Sequence, residues 1–463
     1  MIKEIVEKIK KNEIDVEEFV EEKIEKAKEI NKELNCFITI AEEEARERAR
    51  EIKKNIKEGK ANGKLLGIPF GVKDNILTKG IRTTAGSRIL LNYIPPFSST
   101  AVDRIEKEGA IIIGKTSMDE FGFGSFNINV GIGFEIPKNP IAMDRVCGGS
   151  SGGSACATKV LQIPSLAEST GGSISAPSSF CGVVGLTPSY GKVSRFGLID
   201  YASSLDKIGV IANSVEDAFL VYETIKGFDE NDETSTSEER DSETKRKLAV
   251  PKEVFDSCEE EVKNKFMKKL EKIGWEFEEV SIELLKYSIQ SYYIIAMAEA
   301  STNLARYKGL VFGAQEEIKD ENFREYFSRI RSAYFGNEAK RRILLGSFVR
   351  SIGYKGKYYY KALAIRKKLI EEIEKKFKNF DAFVLPAMPI FPLKIEEALS
   401  LSPEKVYSLD ICTIPWNLCG LPHISIPIKE SSYKQLGFEI VCNRFEEEKL
   451  KRISLEFEKI ISE

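Results

Sequence analysis

Two short apolar runs constrain the fold more than anything else in this chain. "LLGIPFGVKDNI" (65–76) and "GAIIIGKTSM" (109–118) are rich in β-branched residues and bounded by glycine. That is the pattern of strands buried on both faces. Between them "STAVDRIEKEG" (99–109) has the apolar spacing of an amphipathic helix. Strands that alternate with helices build a mixed or largely parallel sheet with helices outside it. The expected fold class is α/β, a large mixed β-sheet core covered by helices on both faces.

The chain has 463 residues, long for one ordinary domain. With no internal repeat or linker, it reads as a single domain over 1–463. Residues 1–60 form an N-terminal helical layer, because "IVEKIKKNEIDVEEFVEEKIEKAKEI" repeats apolar positions three and four apart. Core motifs occupy 65–210, and 260–380 is a mostly helical subregion. The very polar "GFDENDETSTSEERDSETKRK" (227–247) reads as a solvated loop or lid. "FDAFVLPAMPIFPL", "GLPHISIPI" and "GFEIVCNRF" return to the sheet, and "EEEKLKRISLEFEKIIS" closes the chain as a helix.

Composition excludes several function classes. A net charge of −3 argues against a chain that wraps nucleic acid or lies on an anionic membrane by itself. No apolar stretch approaches the roughly 18 residues of a membrane span. The N-terminus carries both charge signs, unlike a secretory signal. The eight cysteines form no CxxC pair and no cluster with histidine. A reduced cytoplasmic protein without a metal site is expected.

The stretch from Arg145 to Pro188 carries the chemistry: "RVCGGSSGGSACATKVLQIPSLAESTGGSISAPSSFCGVVGLTP". "GGSSGGSA" runs straight into the helix-like "SACATKVL", so it is no flexible linker. A phosphate loop would need a lysine followed by serine or threonine, which is missing. Glycines also let backbone N–H groups converge on one point, as an oxyanion hole requires, and "TGGS" (170–173) offers consecutive amides ending at a serine. A serine nucleophile needs a base. The single histidine, His423, lies in the apolar run "GLPHISIP" and reads as a packed core residue. Lysine can replace histidine where burial disfavours the ammonium. Lys73, at the end of an apolar run, is the candidate; its other reading is a strand-end lysine reaching for water.

"GVKDNI", "GGSSGGSA", "TGGSI", "FCGVVGLTPSYGKVSRFGL" and "ASSLDKIG" resemble the amidase signature family in order and spacing. The similarity continues through "AEASTNLARYKG", "KRRILLGSF" and "TIPWNLCGLPHISIP" and covers nearly the whole chain. The resemblance implies an amidase-signature fold and a Ser–Ser–Lys arrangement, its middle serine following a cis peptide bond. Matched position by position, Ser173 is the nucleophile, Ser150 the bridging serine and Lys73 the base. The amides of Thr170, Gly171, Gly172 and Ser173 form the oxyanion hole. Ser151 and Ser154 are then structural. Three departures lie beside that hole. The two serines are 23 residues apart, about one fewer than in the family; Glu168 stands one place from the usual acidic residue; and Ser175 replaces an arginine.

Within the family, "MDEFGFGS", "YGKVSRFGL" and "KRRILLGSF" are most similar to the glutamine-hydrolysing subunits of tRNA-dependent amidotransferases. That similarity implies that Arg342 and Asp410 bind glutamine, while a helpful tyrosine is matched by Phe312. It implies two partners, the B and C subunits of the amidotransferase, and a misacylated tRNA held mainly by the partner. It implies no cofactor on this chain, with ATP and Mg²⁺ used by the partner. Two alternatives stand beside it, a stand-alone amidase for another small amide and a catalytically weakened scaffold subunit.

Overall fold

The computed structural model describes residues 1–428 and 432–461. Its strands are β1 (Phe37–Ile40), β2 (Pro69–Lys73), β3 (Ile111–Thr116), β4 (Ser165–Ser169), β5 (Val184–Thr187), β6 (Lys207–Ala212), β7 (Lys247–Pro251), β8 (Glu276–Val280), β9 (Ala382–Pro386), β10 (His423–Ile428) and β11 (Leu436–Val441). All belong to one sheet, in the order β1-β3-β2-β4-β6-β5-β10-β11-β9-β7-β8. Pairing is parallel in two places, β3–β2–β4 and β9–β7–β8, and antiparallel elsewhere. The sheet is therefore mixed, as the alternation of strand and helix signals implies.

The central strands are wholly buried. Every residue of β2, β3, β4, β5 and β6 is shielded from solvent. Ile111, Ile112 and Ile113 are each no more than 4% exposed. Burying one such side chain contributes about 1.5–3 kcal/mol, which is why these runs are apolar without alternation.

Residues 1–60 fold as helices Ile2–Lys10, Val16–Leu34 and Glu42–Lys57. Asp15 caps the second, accepting from the amides of Glu17 and Glu18. Val16, Val20, Ile24 and Ala27 form its buried stripe, against Ala45, Ala49 and Ile52 of the third. This layer is not purely helical. "FITI" inserts β1 between the second and third helices and pairs antiparallel with β3. Four residues are too few to show a period, so the sequence pattern does not reveal them.

The polar stretch after Gly227 carries no regular structure up to β7, yet its first half is pinned. Asp229 accepts from Ser194 Oγ (2.6 Å) and Thr100 Oγ1 (2.5 Å), and these bonds hold its carboxyl down to about 2. All eight cysteines are buried and none is in a disulfide. No helix among the described residues is long and apolar enough to cross a membrane.

Candidate active site

β2 ends at Lys73, in the middle of the sheet's parallel part, and delivers its side chain into the interior. Lys73 Nζ lies 2.8 Å from Ser150 Oγ and is fully buried, as is the serine. Nζ also donates to the Glu168 carbonyl (3.0 Å) and to Glu168 Oε2 (2.9 Å). The apolar run around Lys73 thus ends against a buried carboxylate contributed by β4. Lys115, Lys192 and Lys207 are also buried. Lys115 instead donates to the Ile76 carbonyl and to Thr83 Oγ1, and Lys207 to the Leu421 carbonyl. Burial pushes Lys115 down to about 8 and Lys207 to about 7.

Ser150 sits in the glycine-rich turn before the helix Gly152–Leu161, and the Gly149–Ser150 peptide is cis. Asp119 organises this turn. Its amide donates to the Ser150 carbonyl (3.3 Å), and its carboxylate accepts from the amides of Asn127 (3.0 Å) and Asn129 (2.8 Å). Burial pushes that carboxyl up to about 6. Ser151 and Ser154 support the turn. Ser151 Oγ donates to the Glu168 carbonyl, and Ser154 Oγ pairs with Thr116 Oγ1 at 2.6 Å.

Ser173 follows β4 and is 5% exposed. The Ser151 amide donates to the Ser173 carbonyl (3.2 Å), which ties the two serine loops together. Between β4 and Ser173, the chain passes through a gap only glycine fits. A Cβ on Gly171 would stand 2.8 Å from Tyr292 Oη, and one on Gly172 would stand 2.2 Å from Thr413 Oγ1. Asn417 Nδ2 donates to the Gly171 carbonyl and fixes that peptide's orientation. The amides of Gly171, Gly172 and Ser173 donate to no acceptor among the described residues. Unpaired amides next to a serine are what a developing oxyanion needs.

A second group of side chains gathers around Arg342. Arg342, on the helix Asn337–Arg350, is 2% exposed. Its guanidinium lies 5.1–5.5 Å from the ring centres of Phe123, Tyr201, Tyr293 and Tyr407. It donates to Glu338 Oε1 (2.8 Å) and to Tyr201 Oη. Glu120 anchors this helix by accepting from the Gly336 amide (2.9 Å). Asp410 accepts from Tyr293 Oη (2.6 Å) and Ser125 Oγ (2.8 Å). Burial pushes its carboxyl up to about 6 against the opposing pull of those two bonds and of Arg342. A cavity of about 200 Å³ is lined by Ser125, Asn129, Glu338, Arg342 and Tyr407. Phe312 is exposed and absent from that lining.

The family profile described as Amidase matches residues 18–450. This chain belongs to the amidase family. It is 42% identical over 405 residues to the A subunit of glutamyl-tRNA(Gln) amidotransferase from Thermotoga maritima, covering 85% of this chain and 84% of that one. It is 45% identical over 388 residues to the subunit of the same name from Archaeoglobus fulgidus, covering 83% and 84%. The crystal structure of the Thermotoga maritima subunit superposes with a TM-score of 0.78 at 35% identity, covering 96% of this chain and 91% of that one. The 6-aminohexanoate cyclic dimer hydrolase structure, at 20% identity, shares the fold with a TM-score of 0.83, covering 100% and 97%.

For this amidase, the sequence pattern points to Lys73, Ser150, Ser173 and the "TGGS" glycines, and the fold brings Lys73 to Ser150 and the loops of Ser150 and Ser173 together. It places Arg342 and Asp410 around one tyrosine, Tyr293. His423 is buried and bonds to Glu439 (2.5 Å), Ser175 (3.2 Å) and Asn417 (3.2 Å); desolvation pushes it below its ordinary value. The sequence pattern does not single out Tyr201, Tyr293, Tyr407, Ser125, Asp119 or Glu338. The one available signal is the tyrosine pair in "SYYIIAMAEAS", next to the apolar stretch "IIAMA".

Proposed function

We propose that this amidase hydrolyses the side-chain amide of glutamine and supplies the ammonia to a partner that amidates a misacylated tRNA. The observation that carries the reading is the buried contact of Lys73 Nζ with Ser150 Oγ, on loops tied to Ser173 and its unpaired amides. The relatives named as the A subunit of glutamyl-tRNA(Gln) amidotransferase support the substrate and the assembly.

Ser173 Oγ attacks the amide carbon. Its proton passes to Ser150, whose own proton passes to Lys73. The oxyanion forms against the amides of the Thr170–Ser173 loop, where preorganised donors stabilise charge that develops only in the transition state. The proton returns through Ser150 to the nitrogen as the C–N bond breaks. Ammonia leaves, and water, activated by the same relay, hydrolyses the glutamyl ester at Ser173.

Arg342 pairs with the α-carboxylate of glutamine and Asp410 with its α-ammonium. A guanidinium held by four rings and Glu338 is set in orientation before substrate arrives, which lowers the cost of binding. The B and C subunits complete the enzyme. The partner uses ATP and Mg²⁺ to activate the aminoacyl group and provides most of the tRNA contact, which suits a chain of net charge −3. The setting is cytoplasmic.

The test is glutamine hydrolysis by the chain alone and with the B and C subunits. Turnover that rises on adding the partners, tRNA and ATP supports the reading. Full turnover by the isolated chain, indifferent to all three, makes it a stand-alone amidase.

A further inference from the structure

The proposed mechanism leaves one proton unassigned. An ammonium has no lone pair, so Lys73 can accept from Ser150 only as the neutral amine. Its surroundings contain a carboxylate at 2.9 Å and no solvent, since Lys73 and Glu168 are 0% and 1% exposed. Before Lys73 can act, a proton has to leave Nζ for another group. Among the described residues Nζ makes three hydrogen bonds, to Ser150 Oγ, the Glu168 carbonyl and Glu168 Oε2. The hydroxyl is the group to be deprotonated, and a peptide carbonyl does not hold a proton. The carboxylate is what remains.

We propose that Glu168 is the acid–base partner of Lys73, taking up and holding the lysine proton during turnover. The proposal rests on the Ser173–Ser150–Lys73 reading above. In the resting ion pair, an N–H bond at Nζ breaks and an O–H bond forms at Oε2, so both groups become neutral. Lys73 then takes the proton from Ser150 as Ser150 takes that of Ser173, returns it to the departing nitrogen, and repeats the exchange with water in deacylation. Glu168 gives its proton back when the ester has been hydrolysed. The buried site keeps the same total charge throughout, because the oxyanion exists only while Lys73 is cationic. No charge has to cross to water, a costly event in a site this deep.

The rest of the contacts of Glu168 suit the role. Oε2 is shared with Asn75 Nδ2 (3.1 Å), which steers the carboxyl toward Nζ. Oε1 pairs with Thr170 Oγ1 (2.6 Å), which also pairs with Asp206 Oδ1 (2.7 Å). The Thr170 hydroxyl thus lies between the carboxyl groups of Glu168 and Asp206. Burial and the neighbouring charge of Glu168 push Asp206 well above the usual carboxylate range. Asp206 also accepts from the amides of Tyr201 (2.9 Å) and Ala202 (2.9 Å), which fixes its carboxyl beside Thr170. Asp119 interacts electrostatically with Lys73, and Asp200 with Glu168. Arg342 in turn acts on Asp119.

The experiment follows the rate at which phenylmethylsulfonyl fluoride labels Ser173 as a function of pH, in wild type and Glu168→Gln, each in complex with the B and C subunits. This readout needs no glutamine. In the variant, Lys73 has to lose its proton to solvent. Labelling is expected to fall at least tenfold at neutral pH and recover at higher pH, the acid limb moving up by a unit or more. A carboxylate that merely holds Lys73 as an ammonium would give the opposite, an acid limb moved down. That result, or an unchanged profile, overturns the proposal. Glu168→Asp serves if the glutamine variant does not fold. It keeps an exchangeable carboxyl, so its rate falls with the limb in place, and a displaced limb overturns the proposal. If wild type itself takes no label at Ser173, the triad reading falls and this proposal with it; a wild type that labels normally beside an indifferent Glu168→Gln sinks this proposal alone.

Discussion

Tyr293 donates its hydroxyl to Asp410 at 2.6 Å while its ring lies 5.4 Å from the guanidinium of Arg342. One side chain thus positions both charges assigned to the ends of an amino acid. In the proposed function, Asp410 is the charged partner of the α-ammonium of glutamine. Asp410→Asn should raise KM for glutamine at least tenfold with kcat little changed. A hydrogen bond to a charged group contributes about 1.5–3 kcal/mol. Steady-state kinetics on the complex measures this. An unchanged KM would remove Asp410 from the site.

The same residue sets a pH dependence. Its carboxyl is held up to about 6 by burial. Above that value it is charged and attracts the substrate ammonium; below it the carboxyl is neutral and the attraction is lost. KM for glutamine should therefore climb as pH falls through about 6. Tyr293→Phe removes a bond that favours the charged form, so it should move this rise to higher pH. A KM flat from pH 7 to 5 would contradict the assignment.

Gly172 tests the loop that carries the amides. A methyl group there would stand 2.2 Å from Thr413 Oγ1, a distance at which one of the two must move. Gly172→Ala should lower kcat by about 10²–10³-fold, the cost of a misplaced oxyanion donor, without loss of the folded state. Thr413→Ser retains the hydroxyl and should not relieve the clash; Thr413→Gly should restore part of the rate. Circular dichroism beside the kinetics separates this from unfolding.

His423 and Lys73 should behave in opposite ways. His423 is sealed in the core, so His423→Asn should lower the melting temperature, because Glu439 loses its 2.5 Å partner. Glu439 keeps Ser175 Oγ at 2.8 Å, so the cost is that of one lost buried hydrogen bond, about 1 kcal/mol. Catalysis by the folded fraction should stay within a few-fold of wild type. Lys73→Ala should lose about 10²–10⁴ in kcat, the range of general acid–base catalysis. A folded but dead histidine variant would place the base elsewhere.

The parts of this site legible in the sequence are those that depend on local chain geometry. Glycines around Ser150 and before Ser173 announce tight backbone approaches, and the apolar run ending at Lys73 announces a buried strand. The aromatic cage was not legible. Phe123, Tyr201, Tyr293, Arg342 and Tyr407 come from five separated segments, and no local period relates them. Glu168 stood in view, but its meaning depends on β2 and β4 lying side by side, which sets its carboxylate against Lys73. The strand β1 was hidden for the reason opposite to the glycines. "FITI" is short, and helical sequence on both sides masks it.

The most direct measurement is the site of covalent trapping. The complex is treated with an amide-mimicking electrophile, digested and read by mass spectrometry. The adduct should sit on Ser173, which alone follows the unpaired amides of Gly171 and Gly172, and Lys73→Ala should abolish it. An adduct on Ser150 or Ser151, or undiminished labelling of Ser173 without Lys73, would contradict the account.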